Sequence, residues 1–311
     1  MEFKHKPVLL DEAIRSLDIK PDGIYVDGTV GGAGHSLEIV KRLTTGKLFA
    51  FDRDPQAVAV ARERLNGFHA TVIEDNFDNM REALIRCGVT SVDGVLLDLG
   101  VSSYQLDNAS RGFSYRNDAP LDMRMSSSGI TAADVVNTYS AEELTRVFRN
   151  YGEERFAAKI ASRIVAERQK KSINGTLQLA NLIASCMPPA ARRDGNPARR
   201  CFQALRIEVN GELESLGKVL DQAFDLLSVG GVLAIITFHS LEDRAVKLKF
   251  KEFCTGCTCP ADFPVCVCGK TPRGEPVTRK PILPGEEEIN ENPRSRSAKL
   301  RAVKKIQGDK Q

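Results

Sequence analysis

The sequence predicts an α/β fold, a doubly wound and mostly parallel β-sheet that is interrupted by an inserted all-helical domain. Two observations predict it. Short apolar runs alternate with segments of helical periodicity between residues 23 and 100, and only helical patterns occur between residues 107 and 205 before a strand pattern returns. We therefore divide the chain into a first part of the core, 1–106, a helical substrate-recognition insert, 107–205, and a second part of the core, 206–311.

The first part of the core carries four strand patterns separated by helix patterns. Each strand is a short run of apolar, β-branched or aromatic residues, as expected for strands that are buried on both faces of a parallel sheet. Right-handed crossovers through the helices make such strands parallel. The predicted strands are 24–28, 47–52, 70–75 and 94–99, and the predicted helices lie near 34–44, 55–66 and 77–87.

The insert is predicted to be helical from its capping signals and its 3.6-residue periodicity. Ser140 and Glu143 match a capping box, and apolar residues recur at helical spacing along 153–169. Thr176 is expected to cap a further helix near 177–186.

The core resumes with a long helix and a fully apolar strand, 230–238, followed by another helix. We expect Ser240 and Asp243 to form the capping box of that helix. Segments 277–283 and 298–306 are predicted to pair as a β-hairpin that adds a C-terminal antiparallel strand to the sheet.

The candidate ligand site begins at the end of the first strand. Asp27 ends this strand, and glycines follow at positions 28, 31, 32 and 34 before a helix starts. Glycine lets the backbone adopt positive φ and approach a ligand closely, and a helix N-terminus offers unpaired N–H groups. The pattern predicts a cradle for a nucleotide cofactor, with a turn in which glycine serves packing alone as the alternative.

The end of the second strand carries the next feature of the site. Asp52 follows an apolar run and lies eighteen residues after Gly34. An acid in this position can accept hydrogen bonds from both ribose hydroxyls of a bound nucleotide. The glycine loop and Asp52 together predict an adenosine-containing ligand across the carboxyl ends of the strands.

The kind of ligand follows from what the loop lacks. Leu37 stands where a dinucleotide fingerprint needs its third glycine, and the sequence contains no G-x-x-x-x-G-K-[ST] phosphate loop. Asp27 would repel a pyrophosphate, whereas its charge suits an ammonium or a sulfonium group. S-adenosylmethionine is therefore the best fit, and an NAD-dependent oxidoreductase is the competing enzyme class.

Two further candidates follow the third and fourth strands. Asp98 ends the fourth strand, where open α/β sheets place their ligands, and Ser102 and Gln105 follow in the next loop. This setting favours a site carboxylate over a helix-capping acid. Phe77 follows the third strand and is either a wall for an adenine ring or a core residue.

Five of the eight cysteines lie close together in the sequence. Such a cluster is typical of metal or redox chemistry rather than of a disulfide scaffold. Because its C-x-C pairs differ from the paired C-x2-C knuckles of a zinc ribbon, we expect reduced thiols and no bound metal, with zinc as the alternative. The members are Cys254, Cys257, Cys259, Cys266 and Cys268.

The composition is that of an ordinary globular protein, with 42% hydrophobic and 27% charged residues and a net charge of +3. The N-terminus lacks the apolar run of a signal peptide, and no stretch approaches the ~20 apolar residues of a membrane span. We expect a cytoplasmic protein without a membrane partner. Residues 107–212 are rich in Arg with a net charge of +4, and 270–311 carry +5, which suits contact with RNA phosphates.

Nine motifs carry a resemblance that spans essentially the whole chain in one order. They are His5–Leu10, Asp27–Ser36, Asp52–Ala57, Leu97–Ser103, Gly112–Ser114, Pro120–Met125, Tyr151–Arg155, Phe238–Asp243 and Glu291–Arg294. In these motifs the chain resembles the bacterial small-subunit (16S) ribosomal RNA cytosine-N4 methyltransferases of the MraW type. The cysteine-rich loop at 254–268 departs from the shared pattern.

The resemblance implies a class I methyltransferase fold with a Rossmann-like sheet and S-adenosylmethionine as cofactor. It implies 16S rRNA of the small ribosomal subunit as partner and a cytosine in the decoding region as substrate, and it leaves a homodimer open. By position it implies cofactor contacts at Ala33, Gly34, His35, Asp52, Phe77, Asp98 and Gln105.

Methylation of cytosine N4 sets a chemical requirement on the site. The amino lone pair is delocalised into the ring, so the site must hold N4 about 3–3.5 Å from the methyl carbon and accept a hydrogen bond from its N–H. Asp98 is the candidate acceptor, and the carbonyls of 100–102 are the alternatives, because the chain has Asp98-Leu99-Gly100-Val101 where many amino-methyltransferases carry an Asp/Asn-Pro-Pro-aromatic turn. A non-catalytic RNA-binding protein with the same shell is the third functional class.

Overall fold

The computed structural model divides the chain into two compact units. Unit 1 comprises Met1–Gly100 and Glu214–Gln311, and unit 2 comprises Val101–Leu213. The predicted insert, 107–205, lies within unit 2. The structure describes residues 7–189, 196–260, 265 and 267–307, without the side chains of Ser103 and Tyr104, so that His5, Lys6 and Cys266 lie outside the described residues.

Unit 1 contains seven strands, and both units contain helices. The strands are β1 (Ile24–Asp27), β2 (Lys47–Asp52), β3 (Ala70–Glu74), β4 (Val92–Asp98), β5 (Leu227–Thr237), β6 (Gly274–Pro276) and β7 (Lys299–Lys305). The helices are α1 (Leu10–Leu17), α2 (Gly34–Val40), α3 (Pro55–Arg64), α4 (Met80–Arg86), α5 (Ser103–Asp107), α6 (Ala132–Thr138), α7 (Ala141–Asn150), α8 (Ala157–Arg168), α9 (Thr176–Cys186), α10 (Arg199–Asn210), α11 (Glu212–Leu226), α12 (Ser240–Cys254) and α13 (Glu286–Glu291).

The strands of unit 1 form one sheet in the order β3-β2-β1-β4-β5-β7-β6. Strands β1 to β5 pair in parallel, and β7 runs antiparallel to both of its neighbours. The chain leaves β1 and β4, which are adjacent, in opposite directions, so their carboxyl ends flank the crevice where open α/β sheets bind ligands. This topology confirms the predicted fold class, and the four N-terminal strands lie within two residues of their predicted bounds.

The sheet is covered on both faces. Helices α1, α2 and α3 contribute buried side chains to one face, and α4, α11 and α12 contribute to the other. Strand β5 lies between β4 and β7, and its side chains from Val232 to Thr237 are all buried. The fully apolar pattern of this strand follows from its central position.

Unit 2 has a separate hydrophobic core to which helices α6 to α10 contribute. The capping box of α7 is confirmed, because Ser140 Oγ accepts a hydrogen bond from Glu143 N at 3.1 Å and Glu143 Oε2 accepts one from Ser140 N at 2.7 Å. The predicted cap at Thr176 is wrong. Thr176 is the first residue of α9, and its hydroxyl donates instead to the carbonyl of Asn117 at 2.7 Å.

The predicted capping box of α12 is also wrong. The N-cap of this helix is His239, whose partner three residues on is Glu242. Glu242 accepts hydrogen bonds from the backbone N–H groups of Phe238 and His239 at 2.8 and 3.2 Å. Asp243 faces the sheet instead and binds Arg301 of β7 at 2.7 Å, because two cations on that strand are within its reach.

The predicted C-terminal hairpin is correct in its second strand only. Strand β7 pairs with β6, which precedes the predicted segment 277–283. Within that segment Ile282 alone forms a β-bridge, with Leu300. Pro281 and Pro284 flank this bridge, and a proline has no N–H to donate to a ladder.

The burial of β5 predicts a large contribution of Leu233 to stability. Leu233 is fully buried, whereas Leu248 on α12 is 60% exposed. We expect Leu233→Ala to lower the free energy of unfolding by about 2–5 kcal/mol and Leu248→Ala to change it by less than about 0.5 kcal/mol. Urea unfolding followed by circular dichroism measures both, and equal effects of the two substitutions would contradict the assignment of β5 to the core.

Candidate active site

Three aspartates end neighbouring strands at one edge of the sheet. Asp27 ends β1, Asp52 ends β2 and Asp98 ends β4. Strand β1 lies between the other two, with Asp27 in register with Ala50 of β2 and with Leu96 of β4. The parallel register therefore brings the three carboxyl groups to the crevice that the sequence predicted.

In the glycine loop after β1, some glycines are required by tight packing, and another leaves its backbone open to a ligand. A Cβ on Gly28 would collide with Leu97, and one on Gly34 would collide with Pro7, so these two glycines are required by packing. Gly31 has φ +48°, and a Cβ there would meet only the carbonyl oxygen of Thr29 at 3.9 Å. Packing alone thus explains Gly28 and Gly34, as the alternative interpretation of the loop expected. Gly31, in contrast, presents open backbone.

Asp52 is held by backbone donors on both of its oxygens. Gly31 N donates to Oδ2 and Asp54 N donates to Oδ1, each at 2.9 Å. Burial raises the pKa of Asp52. Each carboxylate oxygen has two lone pairs, so Asp52 can accept two further hydrogen bonds, as the two hydroxyls of a ribose require.

Asp27 is buried and is oriented by two hydrogen bonds. Ser36 Oγ donates to Oδ2 at 2.6 Å, and Thr29 N donates to Oδ1 at 3.1 Å. Burial raises the pKa of Asp27 to about 6, against these hydrogen bonds, and the charge of Asp52 raises it further. The carboxyl group is therefore mostly ionised at neutral pH although it lacks contact with solvent.

Asp98 has a carboxyl oxygen without a partner. Its backbone N donates to Thr29 Oγ1 at 2.6 Å, but its enclosed Oδ1 accepts no hydrogen bond. Burial, followed by the charges of Asp27 and Glu242, holds the pKa of Asp98 well above its usual range. Among the described residues, no Lys or Arg forms an ion pair with Asp27 or Asp98, so these two acids lie together without a cation of the chain.

His35 is neutral and occupies a fixed position beside Asp98. Its Nε2 lies 3.1 Å from the carbonyl oxygen of Val8, and since a carbonyl can only accept, Nε2 carries the hydrogen. Burial lowers the pKa of His35 to about 4. Its Nδ1 lies 3.7 Å from Asp98 Oδ2, so a lone pair faces the carboxyl group and adds no positive charge to it.

The remaining residues implied by the resemblance divide between the two units. Ala33 is fully buried with φ +59° and precedes α2 as its N-cap, so it can offer only backbone. Phe77 is half-buried in a short 3₁₀ turn and packs against the core beside Gly28. Gln105 lies in unit 2, where its Oε1 accepts a hydrogen bond from Ser102 N at 3.0 Å. The structure brings His35 together with Asp98, and the contacts of the predicted site residues with a cofactor stay a prediction.

Sequence reasoning did not assign three residues that shape this site. Thr29 and Ser36 hold the backbone of Asp98 and the side chain of Asp27, respectively. Glu242 is buried and acts on Asp98 through its charge. A capping box that begins at His239 instead of Ser240 would have identified Glu242, whereas the contacts of Thr29 and Ser36 depend on the tertiary fold.

The site fits an adenosine ligand that carries positive charge. Asp52 retains acceptor capacity for ribose hydroxyls, Gly31 leaves open backbone, and the acids at 27 and 98 lie together, with the enclosed Oδ1 of Asp98 lacking a partner. A buried carboxylate without a countercharge is costly, and a cationic ligand would relieve that cost. The sheet order is that of the predicted class I methyltransferase fold.

The sequence comparisons agree with this class. Residues 2–306 match the family model described as the MraW methylase family, and the chain belongs to this family. The small-subunit ribosomal RNA methyltransferase H of Lachnospira eligens is 55% identical over 98% of this chain and 99% of the relative. The proteins of the same name from Clostridium botulinum (strain Loch Maree) and Clostridioides difficile are each 53% identical over 98% of this chain and 100% of the relative.

The solved structures that resemble this one are more distant. An rRNA methylase of Streptococcus thermophilus is 13% identical with a TM-score of 0.40, covering 99% of this chain and 100% of the other. TrmN of Thermus thermophilus is 12% identical with a TM-score of 0.42, covering 96% of this chain and 48% of the other. Likenesses this weak do not bear on function.

Family membership confirms the resemblance seen in the motifs, and with it a methyltransferase that uses S-adenosylmethionine. It thereby favours methyl transfer over the hydride transfer of an NAD-dependent enzyme. No helix among the described residues has the length and apolar character needed to cross a membrane.

The buried charge of Asp27 predicts a pH dependence of stability. Its folded-state pKa of about 6 exceeds its ordinary value of 3.8, so the ligand-free protein loses stability as pH rises from about 4 through 6, by ~3 kcal/mol. Asp27→Asn keeps an acceptor for Thr29 N without the charge. We therefore expect the difference in free energy of unfolding between this variant and the wild type to shift in favour of the variant when the pH is raised from 4 to 7.5.

Urea unfolding of the ligand-free protein at the two pH values measures this difference. The exposed residue Asp11 provides the control, since Asp11→Asn should follow the wild type at both. A pH dependence that is unchanged in Asp27→Asn would show that Asp27 is not the source.

Proposed function

We propose that this protein transfers the methyl group of S-adenosylmethionine to the exocyclic N4 amino group of a cytidine in 16S ribosomal RNA, in the decoding region of the small subunit, and that it acts in the cytoplasm. The observation that carries the proposal is the pair of acids formed by the buried Asp27 and by Asp98, whose Oδ1 is enclosed without a partner, beside Asp52. The names of the relatives support small-subunit ribosomal RNA as the substrate.

The residues of unit 1 suggest how the cofactor is held. When bound, S-adenosylmethionine supplies an electrophilic methyl group on a positively charged sulfonium. Asp52 would accept hydrogen bonds from the ribose hydroxyls, and Phe77 would contact the adenine ring. Asp27 and Asp98 would balance the positive charge, because no cation of the described chain does so.

Asp98 is also the candidate acceptor for the amino group of the substrate. Its Oδ1 has no partner in the protein, so it can accept a hydrogen bond from the N4–H of cytosine. That hydrogen bond draws electron density toward N4 and makes the lone pair more available for attack. A cation beside Asp98 favours the carboxylate form, which is the form that can accept a proton.

His35 acts as a positioning residue in this arrangement. Its ring is fixed by the Val8 carbonyl, and its Nδ1 lone pair faces Asp98 Oδ2 at 3.7 Å. The ring thus fixes which group Asp98 meets on its Oδ2 side. The neutral imidazole also leaves the negative charge of Asp98 available to a ligand.

Unit 2 offers exposed cations that suit RNA. Arg116, Arg149, Arg155 and Arg199 are exposed and form no ion pair with any described residue. Arg binds phosphate in a bidentate manner and stacks on bases. The target cytosine must be unpaired or turned out of its helix to reach an active site, and we infer that these cations of unit 2 bind RNA.

The proposal predicts the product of the reaction. Small ribosomal subunits from cells that lack this protein should accept one labelled methyl group from S-adenosylmethionine, and mass spectrometry of the digested 16S rRNA should locate it on cytidine N4. NADH should not compete for binding. Label on another base, or on C5 of cytosine, would overturn the proposed specificity, and binding of RNA without any methyl transfer would favour the non-catalytic alternative.

Substitutions of Asp98 separate its two proposed roles. We expect Asp98→Ala to weaken cofactor binding and also to lower the single-turnover rate at saturating cofactor, by about 10²–10⁴-fold, because the acceptor for the N4–H is lost. Isothermal titration gives the Kd and rapid-quench assays give the rate.

The exposed substitution Asp11→Asn again serves as control and should change neither quantity. A raised Kd with an unchanged rate at saturation would restrict Asp98 to cofactor binding. The Gly100 carbonyl, which lies in unit 1, would then become the leading acceptor.

A further inference from the structure

Three thiols of the cysteine-rich segment lie together in unit 1. The Sγ atoms of Cys257, Cys259 and Cys268 are all within 4.8 Å of one another, and those of Cys257 and Cys268 are 3.7 Å apart. All three residues carry thiols and none is in a disulfide. Cys266 lies outside the described residues.

The spacing of these sulfur atoms fits a single tetrahedral ion. A zinc–thiolate bond is about 2.3 Å long, which places two ligand sulfurs about 3.8 Å apart in a tetrahedron. The observed 3.7 Å between Cys257 and Cys268 matches this value, whereas a disulfide would require about 2.05 Å. Soft thiolate ligands favour zinc over the hard cations.

The two ends of the segment that carries the thiols lie against each other. Arg273 N donates to the carbonyl of Phe253 at 2.9 Å, and a Cβ on Gly256 would lie 3.0 Å from Pro272. Phe253 is itself fixed by stacking on Phe224, with ring centroids 3.9 Å apart. The two ends of the segment are therefore anchored on the core of unit 1.

One backbone group supports the charged form of a ligand. Thr258 N lies 3.5 Å from the sulfur of Cys268 and donates to it. An N–H directed at a sulfur stabilises a thiolate over a thiol. Thr258 separates Cys257 from Cys259, so the same short turn supplies two ligands and a donor to the third.

We propose that Cys257, Cys259 and Cys268 bind a zinc ion through three thiolates, with the fourth position taken by another ligand. The site would join the residues after α12 to those before β6 and serve stability rather than methyl transfer. This differs from the expectation of reduced thiols without metal, which rested on the C-x-C spacing. The fold brings the C-x-C pair to a distant cysteine, and it leaves Cys254 outside the group.

The metal content of the purified full-length chain tests the proposal. We expect roughly one zinc per chain by inductively coupled plasma mass spectrometry. Cys257→Ser, Cys259→Ser and Cys268→Ser should each weaken zinc binding more than about tenfold, whereas Cys254→Ser and the exposed Cys87→Ser should retain the ion. Circular dichroism confirms that each variant is folded.

A second measurement tests metal binding even if the ion is lost during purification. The reduced, metal-free chain is titrated with Co²⁺, which should produce thiolate-to-cobalt charge-transfer absorption in the wild type, in Cys254→Ser and in Cys87→Ser only. Absence of both zinc and this absorption would overturn the proposal, and so would a Cys257–Cys268 disulfide found by mass spectrometry. Retention of zinc by Cys259→Ser would remove that residue from the ligand set.

Discussion

The two acids at the ends of β1 and β4 set the main constraint on this molecule. Asp27 and Asp98 lie in a setting that opposes their ionisation, and no basic side chain of the described residues is placed to offset them. A fold evolved for stability alone would not keep this arrangement, because uncompensated buried charge is costly. The cost becomes understandable if the missing positive charge arrives with a ligand.

The supporting contacts show how the sheet maintains that arrangement. Thr29 holds the backbone of Asp98, Ser36 orients Asp27, and His35 faces Asp98 as a neutral ring. Each of these residues lies in the loop or first turn after β1, so one short segment controls both acids. Substitutions in this segment that leave the fold intact would therefore alter the electrostatics of the whole crevice.

Much of this architecture could be predicted from the sequence, and the failures have identifiable physical causes. The strands of the parallel sheet were located because buried strands are uniformly apolar, and Asp52 and Asp98 were found because polar residues end those strands. The cap at His239 was missed because histidine is an uncommon N-cap. The grouping of Cys257 with Cys268 depends on the closure of a segment in space, which residue spacing does not report.

The position of β7 has a consequence for how the protein is made. Strand β5 lies inside the sheet, but its second partner is β7, near the end of the described chain. The whole of unit 2 is synthesised between β4 and β5. Unit 2 is continuous and can assemble from local contacts, whereas the sheet requires distant ones. Emergence from the ribosome therefore favours early formation of the helical unit, with the unfinished edge of β4 exposed to chaperones until its partners arrive.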